Sequence, residues 1–469
     1  MMMSPRALLV VGVTGVTFLL ASGLSSAAPR SATAVLPSTA NAMDVGGGHT
    51  CALMTNATVE CWGDNETGQL GDGTYTVQTA PVRVADVTDV KAVFGGDSHT
   101  CAVTRDGAAH CWGANGFGQL GDGTTATRPK PVAVIGLSSP VIQIAAGFGF
   151  TCALTTDGVF CWGDNSSGEL GDGQECGYGY CQVPVRVPSL ANGVQSLSAG
   201  IGHVCALLSD GSVKCWGWNG NGQLGDGTTA DRNVPTNVSG LSSGVAEIAT
   251  GGYHTCARMT SGGVKCWGKN VRGQLGDGTG DDRHTPVDVK QLNATVASLT
   301  GGYNFTCAVT TTHGAKCWGR NLNGELGEGK HQCPTLCMHP VDVGGLSKGV
   351  LTVAAGGGHA CAFTEAHGVK CWGWNDRGQV GDGTKDDRFS PVDVTGLQGW
   401  KCSVPNVRTK MLAVAKSKIR QAHCTVGRVT KKRSRIKDKG HVVSQAPAAG
   451  AKLAYGSRVN IVVGRGRTR

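Results

Sequence analysis

The chain has 469 residues, among them 74 Gly, 20 Cys and 16 Pro, with a formal net charge of +9. Glycine without a strict Gly-X-Y period excludes collagen, an apolar share of 40% excludes a disordered chain, and 20 cysteines exclude an ordinary reduced cytosolic protein. The charge is divided: residues 401–469 hold 18 Lys and Arg against the single acid Asp438, whereas residues 1–400 hold 24 against 32 acids.

Residues 1–28 read as a secretory signal peptide. Arg6 supplies the positive charge, 7–24 are apolar and small, and Ser26 and Ala28 fit the positions before a cleavage point. An uncleaved anchor is the alternative, but the stretch is at the lower length limit and diluted by Gly12, Thr14, Gly15 and Thr17. Export agrees with the cysteine content. Residues 29–42 are left as a linker or a strand that closes a ring.

Residues 43–399 contain seven copies of one unit, marked by Trp62, Trp112, Trp162, Trp216, Trp267, Trp318 and Trp372 at steps of 50 to 54 residues. Short β-rich runs alternate with Gly, Asp and Asn turns, without helical period. Each unit offers about four strands, too few to bury both faces of a sheet, so neighbours must stack. The expected fold class is all-β: a seven-bladed β-propeller followed by a small α+β domain.

Each unit carries a cysteine pair: Cys51–Cys61, Cys101–Cys111, Cys152–Cys161, Cys205–Cys215, Cys256–Cys266, Cys307–Cys317 and Cys361–Cys371. A turn such as Arg105-Asp106-Gly107 lies between them, so folding the hairpin sets the two thiols opposite each other across antiparallel strands, within disulfide reach. Zinc would need closer knuckles in sets of four. Cys176–Cys181 and Cys333–Cys337 staple insertions in units three and six, and Cys402–Cys424 belongs to the tail.

The pattern Gly-Gly-x-His-Thr, then Trp-Gly-x-Asn-x-x-Gly-[Gln/Glu]-[Leu/Val]-Gly-[Asp/Glu]-Gly, the latter present in all seven copies, resembles the regulator of chromosome condensation (RCC1) repeat. The resemblance implies a seven-bladed propeller, and the cysteine content resembles exported, bacterial members of that family. His49, His99, His203, His254 and His359 precede the first cysteine of a pair, and Phe150 and Phe305 replace them in two units. That replacement favours a strand-end hydrogen bond or packing contact over a metal ring. The Gly-Asp-Gly-Thr turns lack the full ligand series of a calcium loop and read as turn chemistry. No catalytic, cofactor-binding or metal-binding residue is assigned, and no enzymatic activity is expected.

Recognition is expected at positions that vary within the fixed frame. These are Phe117, Trp218, Arg272, Trp374 and Arg377 beside the Trp-Gly turns, and Tyr178 and Tyr180 in the insertion 174–182. If the units repeat as blades, these slots fall on one rim, where exposed Trp and Arg anchor protein interfaces.

Residues 400–469 form the small domain. Leu412, Ala415, Ile419 and Ala422 have helical spacing, and strand-like runs follow at 424–429, 441–445 and 458–463. Val404-Pro-Asn-Val, the helix, Gly440-His-Val-Val-Ser-Gln-Ala-Pro and Gly456-Ser-Arg-Val-Asn-Ile-Val-Val together resemble a PASTA domain. Some members bind peptidoglycan, which that resemblance implies here. Lys431, Lys432, Arg433, Arg435, Lys437 and Lys439 form a run suited to anionic polymers. The expected partners are a still unidentified protein and peptidoglycan or an anionic wall polymer, without specific nucleic acid. The expected protein is a secreted, extracellular monomer, with no membrane span once the signal is cleaved. It acts as a non-catalytic binding scaffold. Two alternatives follow from family resemblance: a guanine-nucleotide-exchange type of regulator, and a secreted inhibitor of an extracellular enzyme such as a β-lactamase.

Overall fold

A computed structural model describes residues 43–54, 56–174, 179–292, 294–329, 333, 335–365, 368–397, 401–421, 424–434, 438–454 and 458–466. Among them lie seven four-stranded antiparallel sheets, spanning 43–83, 90–133, 141–186, 194–237, 245–288, 296–342 and 350–393. Within each sheet the strand order follows the chain, so every blade is a meander built from one copy of the repeat. The last blade takes all four strands from its own repeat, and residues 29–42 lie outside the described residues.

Burial follows from position in the blade. The second strand, His49–Leu53 in blade one, is buried at every residue because both of its faces meet a neighbouring blade. The fourth strand, Gln78–Arg83, is only half-buried. The hydrophobic core is therefore a set of clusters between blades. One joins Leu53, Val59 and Leu70 of blade one to Val93, Ala102 and Trp112 of blade two. All seven repeat tryptophans are fully buried, each removing about 200 Å² of surface from water, at most roughly 5 kcal/mol of stabilisation.

Polar joints fix the register between blades. The indole N–H of Trp112 and the hydroxyl of Thr100 both donate to the carbonyl oxygen of Gln69 in the preceding blade, at 2.9 and 2.8 Å. Trp162 and Thr151 do the same to Gln119, and Trp267 and Thr255 to Gln223. The ring closes with the same parts: Trp62 and Thr50 of blade one donate to Gln379 of blade seven, both at 3.0 Å. At the axis a further circle of main-chain bonds passes from blade to blade. It runs from Gly47 to Asp97, Asp97 to Gly147, Phe148 to Ile201, Ile201 to Gly252, Gly252 to Gly302, Tyr303 to Gly356, and Gly357 back to Gly46, at 3.0–3.2 Å.

The repeat cysteines bridge the second and third strands of each blade at Cα separations of 4.0–4.1 Å. The register sets each pair directly opposite, as in Cys205↔Cys215. Cys333 and Cys337 are bonded to each other. Cys181 and Cys424 are also disulfide-bonded; Cys176 and the side chain of Cys402, expected opposite them, lie outside the described residues. This density of bridges points to an oxidising environment.

Beyond the propeller, the helix Leu412–Gln421 packs over a three-stranded sheet. In that sheet Arg458–Gly464 lies between Thr425–Lys432, which is parallel to it, and Val442–Ala446, which is antiparallel. Ala415 and Ile419 meet Val442, Val459 and Ile461 in a small separate core. Among the described residues no helix is long and apolar enough to cross a membrane.

Candidate interaction face

Antiparallel connection puts two loops of each blade at the same end. The turn before the second strand and the loop after the third strand meet there, because one strand begins where the other stops. The main-chain bond from Trp218 N–H to the Gly202 carbonyl, 2.7 Å, ties them in blade four, and Asp64, Ala114, Lys269, Arg320 and Trp374 make the equivalent bond.

The loop after the third strand is held by its buried Asn. Asn219 takes Leu224 N–H on Oδ1 and donates through Nδ2 to the carbonyls of Thr228 and Ala230 at 3.1 and 3.0 Å, so one side chain staples a long turn. Asn65, Asn115 and Asn375 repeat this pattern, and Asn270 repeats the Oδ1 bond to Leu275 N–H and the first carbonyl, that of Thr279. The turn Asp is committed as well. Asp226 accepts from Thr228 and pairs with Arg232 at 2.7 Å. Burial would raise its pKa, but these partners outweigh it and hold the carboxyl below the usual range. Among the described residues no group of three or more His, Cys, Asp or Glu is placed to hold a metal ion.

The five histidines are joints between blades. His49 Nε2 meets Thr100 Oγ1 at 2.7 Å, and His99, His203, His254 and His359 meet Thr151, Thr255, Thr306 and Thr50 at 2.7–2.9 Å. Each threonine has one proton, which it gives to the carbonyl of the preceding Gln. The histidine must therefore donate from Nε2, leaving Nδ1 bare, buried and unpartnered. Burial pushes the His49 imidazole down to about 4 and the other four to about 3, so all five are neutral near pH 7. Phe150 and Phe305 stand where the next blade offers Val204 and Ala360 in place of threonine. Donor and acceptor are lost together.

The variable side chains sit on this fixed end. Phe117, 39% exposed, lies across Gly149 of blade three, where a Cβ would stand 2.8 Å from its ring. Trp218 is half-buried and meets Tyr253 edge-to-face at 5.7 Å between centroids, while Lys269 Nζ lies 4.5 Å above the same tyrosine ring. Trp374 covers Gly358, and Arg272 is exposed. Arg377 pairs with Glu66 across the closing seam, so its charge is already engaged. Tyr180 is half-buried on the strand Tyr180–Arg186, and Tyr178 lies outside the described residues.

Nearer the axis lies a second group that the sequence reading missed, because it varies inside the Gly-rich turn treated there as constant. Phe148 is 48% exposed. Ile201 and Tyr303 converge over Gly252, and the Tyr303 hydroxyl reaches Gly47, so its ring spans from blade six towards blade one. Asp97 stands beside that hydroxyl; burial, with Asp64 nearby, pushes its carboxyl up. The signal was available: Gly-Gly becomes Gly-Phe in blade three, Gly-Ile in blade four and Gly-Tyr in blade six.

A ring of seven four-stranded meanders joined by tryptophan and histidine contacts defines an RCC1-type propeller. The RCC1-like domain model matches residues 136–414, and RCC1 repeat models match 59–103, 106–154, 42–69 and 90–119. The chain belongs to the RCC1-like domain family, with a PASTA domain at residues 403–465. It is 36% identical over 211 residues to the ultraviolet-B receptor UVR8 of Arabidopsis thaliana, covering 44% of this chain and 48% of that protein. It is 31% identical over 221 residues to the probable E3 ubiquitin-protein ligase HERC4 of Homo sapiens, covering 46% and 21%. The chain thus spans less than half of these curated relatives. Human WBSCR16 superposes with a TM-score of 0.67 at 24% identity, over 72% of this chain and 95% of that one. Yeast RCC1 (Prp20), solved bound to Kap60, superposes with a TM-score of 0.64 at 23% identity, over 74% and 85%. At such identity these structures speak to the fold alone.

Proposed function

We propose that the protein is a secreted, non-catalytic binding scaffold whose propeller recognises a protein partner through the loop end described above. The observation that carries this reading is the placement of Phe117, Phe148, Trp218 and Trp374 on turns locked by buried asparagines and interblade bonds. Rigid aromatic anchors lose little conformational entropy on binding and are the usual hot spots of protein interfaces. The PASTA domain is read as a second module, directed at the cell wall.

The test is affinity capture from culture medium with the intact protein and with a Phe148→Ala/Trp218→Ala/Trp374→Ala variant. The reading expects a partner held by the first and lost by the second, with both proteins still unfolding in one cooperative thermal transition. Equal capture by both moves the interface elsewhere on the molecule. Accelerated nucleotide release from a small GTPase would replace the scaffold reading with an exchange activity.

A further inference from the structure

The tail's cations are not merely consecutive in sequence; the sheet gathers them from three segments. Lys432, at the end of the strand Thr425–Lys432, pairs in parallel register with Gly464. Arg465 follows that glycine and donates its N–H to the Lys432 carbonyl at 2.9 Å. On the other side of Gly464, Lys439 forms an isolated parallel bridge to it. Neighbouring strands lie about 4.8 Å apart, so Lys432, Arg465 and Lys439 cross the sheet end within roughly 10 Å of backbone. Lys431 precedes Lys432 on the strand, Arg433 follows just past its end, and all five cations at this sheet end are exposed. Ser434 locks the corner by accepting Gly466 N–H at 3.2 Å. Arg435 and Lys437 of the expected run lie outside the described residues.

Five like charges at one end of a three-stranded sheet repel one another, and little in the domain offsets this. Asp438 is the only side-chain carboxylate from 401 to 469, and among the described residues the tail has no ion pair. A polyanion removes that repulsion. Arginine forks and lysine point charges together suit phosphate oxygens. Tyr455 is the only Phe, Tyr or Trp in this segment, so stacked bases find no platform. The patch is also short, which favours a chain that can bend several charges into one place over a stiff duplex.

We propose that this sheet end binds a flexible phosphodiester polymer of the kind found in cell walls, such as poly(glycerol phosphate). The proposal rests on the reading of the tail as a wall-directed module and names the chemistry that it recognises.

The test uses the intact, oxidised chain and fluorescently labelled poly(glycerol phosphate), with anisotropy measured from 50 to 200 mM salt. Five phosphate contacts predict a log–log salt slope of about −3.5 and roughly a hundredfold loss of affinity across that range. Lys432→Gln/Arg465→Gln should weaken binding at least about tenfold at 50 mM and reduce the slope by about 1.4. Lys416→Gln/Lys418→Gln, on the helix, removes the same charge and should change affinity less than about twofold. Equal losses in the two variants, a flat salt response, or tighter binding of a duplex DNA of equal phosphate content would overturn the proposal. Pelleting with purified walls separates it from the broader reading. Equal binding to walls stripped of phosphodiester polymer defeats the phosphate assignment and leaves wall binding standing, whereas binding to neither preparation defeats both.

Discussion

His99 and Thr151 show how much a single contact between blades decides. The threonine has one proton and spends it on the Gln119 carbonyl, so the imidazole must donate and stays neutral. Its pKa of about 3 lies below the ordinary 6.5, so below pH 6.5 the unfolded chain binds a proton that the folded one refuses. Stability is then lost as pH falls from about 6.5 towards 3. Buried Glu169 and half-buried Asp44, pushed up by desolvation to about 7 and about 6, act in the opposite sense over part of the same range. The histidine share is isolated by difference. His99→Phe/Thr151→Val, a copy of the Phe150 and Val204 arrangement, should remove roughly 2–3 kcal/mol of the stability change between pH 4.5 and 7.5, measured by urea unfolding. An unchanged pH profile would place the proton elsewhere. Glycine offers a second test. Gly171 has φ +66°, and a Cβ there would stand 2.6 Å from Trp216 Nε1, whereas Gly396, φ +75°, has open space around it. Gly171→Ala should cost about 2 kcal/mol more than Gly396→Ala, because only the first adds a clash to the backbone strain.

The element that carries the fold is the cross-braced hairpin of second and third strands. Much of it was legible in advance: the cysteine spacing, the intervening turn and the period of about 50 residues required opposed strands in repeated blades. The contacts between blades were not, since they join residues some 50 positions apart whose pairing no local pattern displays. The loss of His at 150 and 305 was visible, but its match to Val204 and Ala360 became clear only from the register. The aromatic residues nearest the axis went unread for a related reason, because a Gly-rich turn hides which of its positions faces solvent. Removing one brace, Cys205→Ala/Cys215→Ala, should lower stability by roughly 2–3 kcal/mol through loop entropy, seen as a reduced denaturant midpoint. The Trp216 joint should survive, with tryptophan fluorescence of the folded state unchanged. A shifted native spectrum would mean that the bridge positions the indole instead of only restricting the unfolded chain.

At the scale of the whole propeller, the joint between blades seven and one is built like its neighbours, down to Trp62 and Thr50 on the Gln379 carbonyl. Among the described residues the seam is thus held by the same contacts as an internal boundary. Thr50→Val and Thr100→Val each strand a buried histidine, and each should cost about 1–3 kcal/mol. Comparable values would show the seam to be as strong as an internal boundary, while a much smaller value for Thr50→Val would mark it as the place where the circle opens. The disulfides add a further consequence. Among the described residues every mapped bridge stays inside one blade, so none of them links one blade to the next. A protease that nicks a connection such as Gly240–Gly244 would leave a native particle that still migrates as one body, yet its two pieces should separate on a denaturing gel without any reductant.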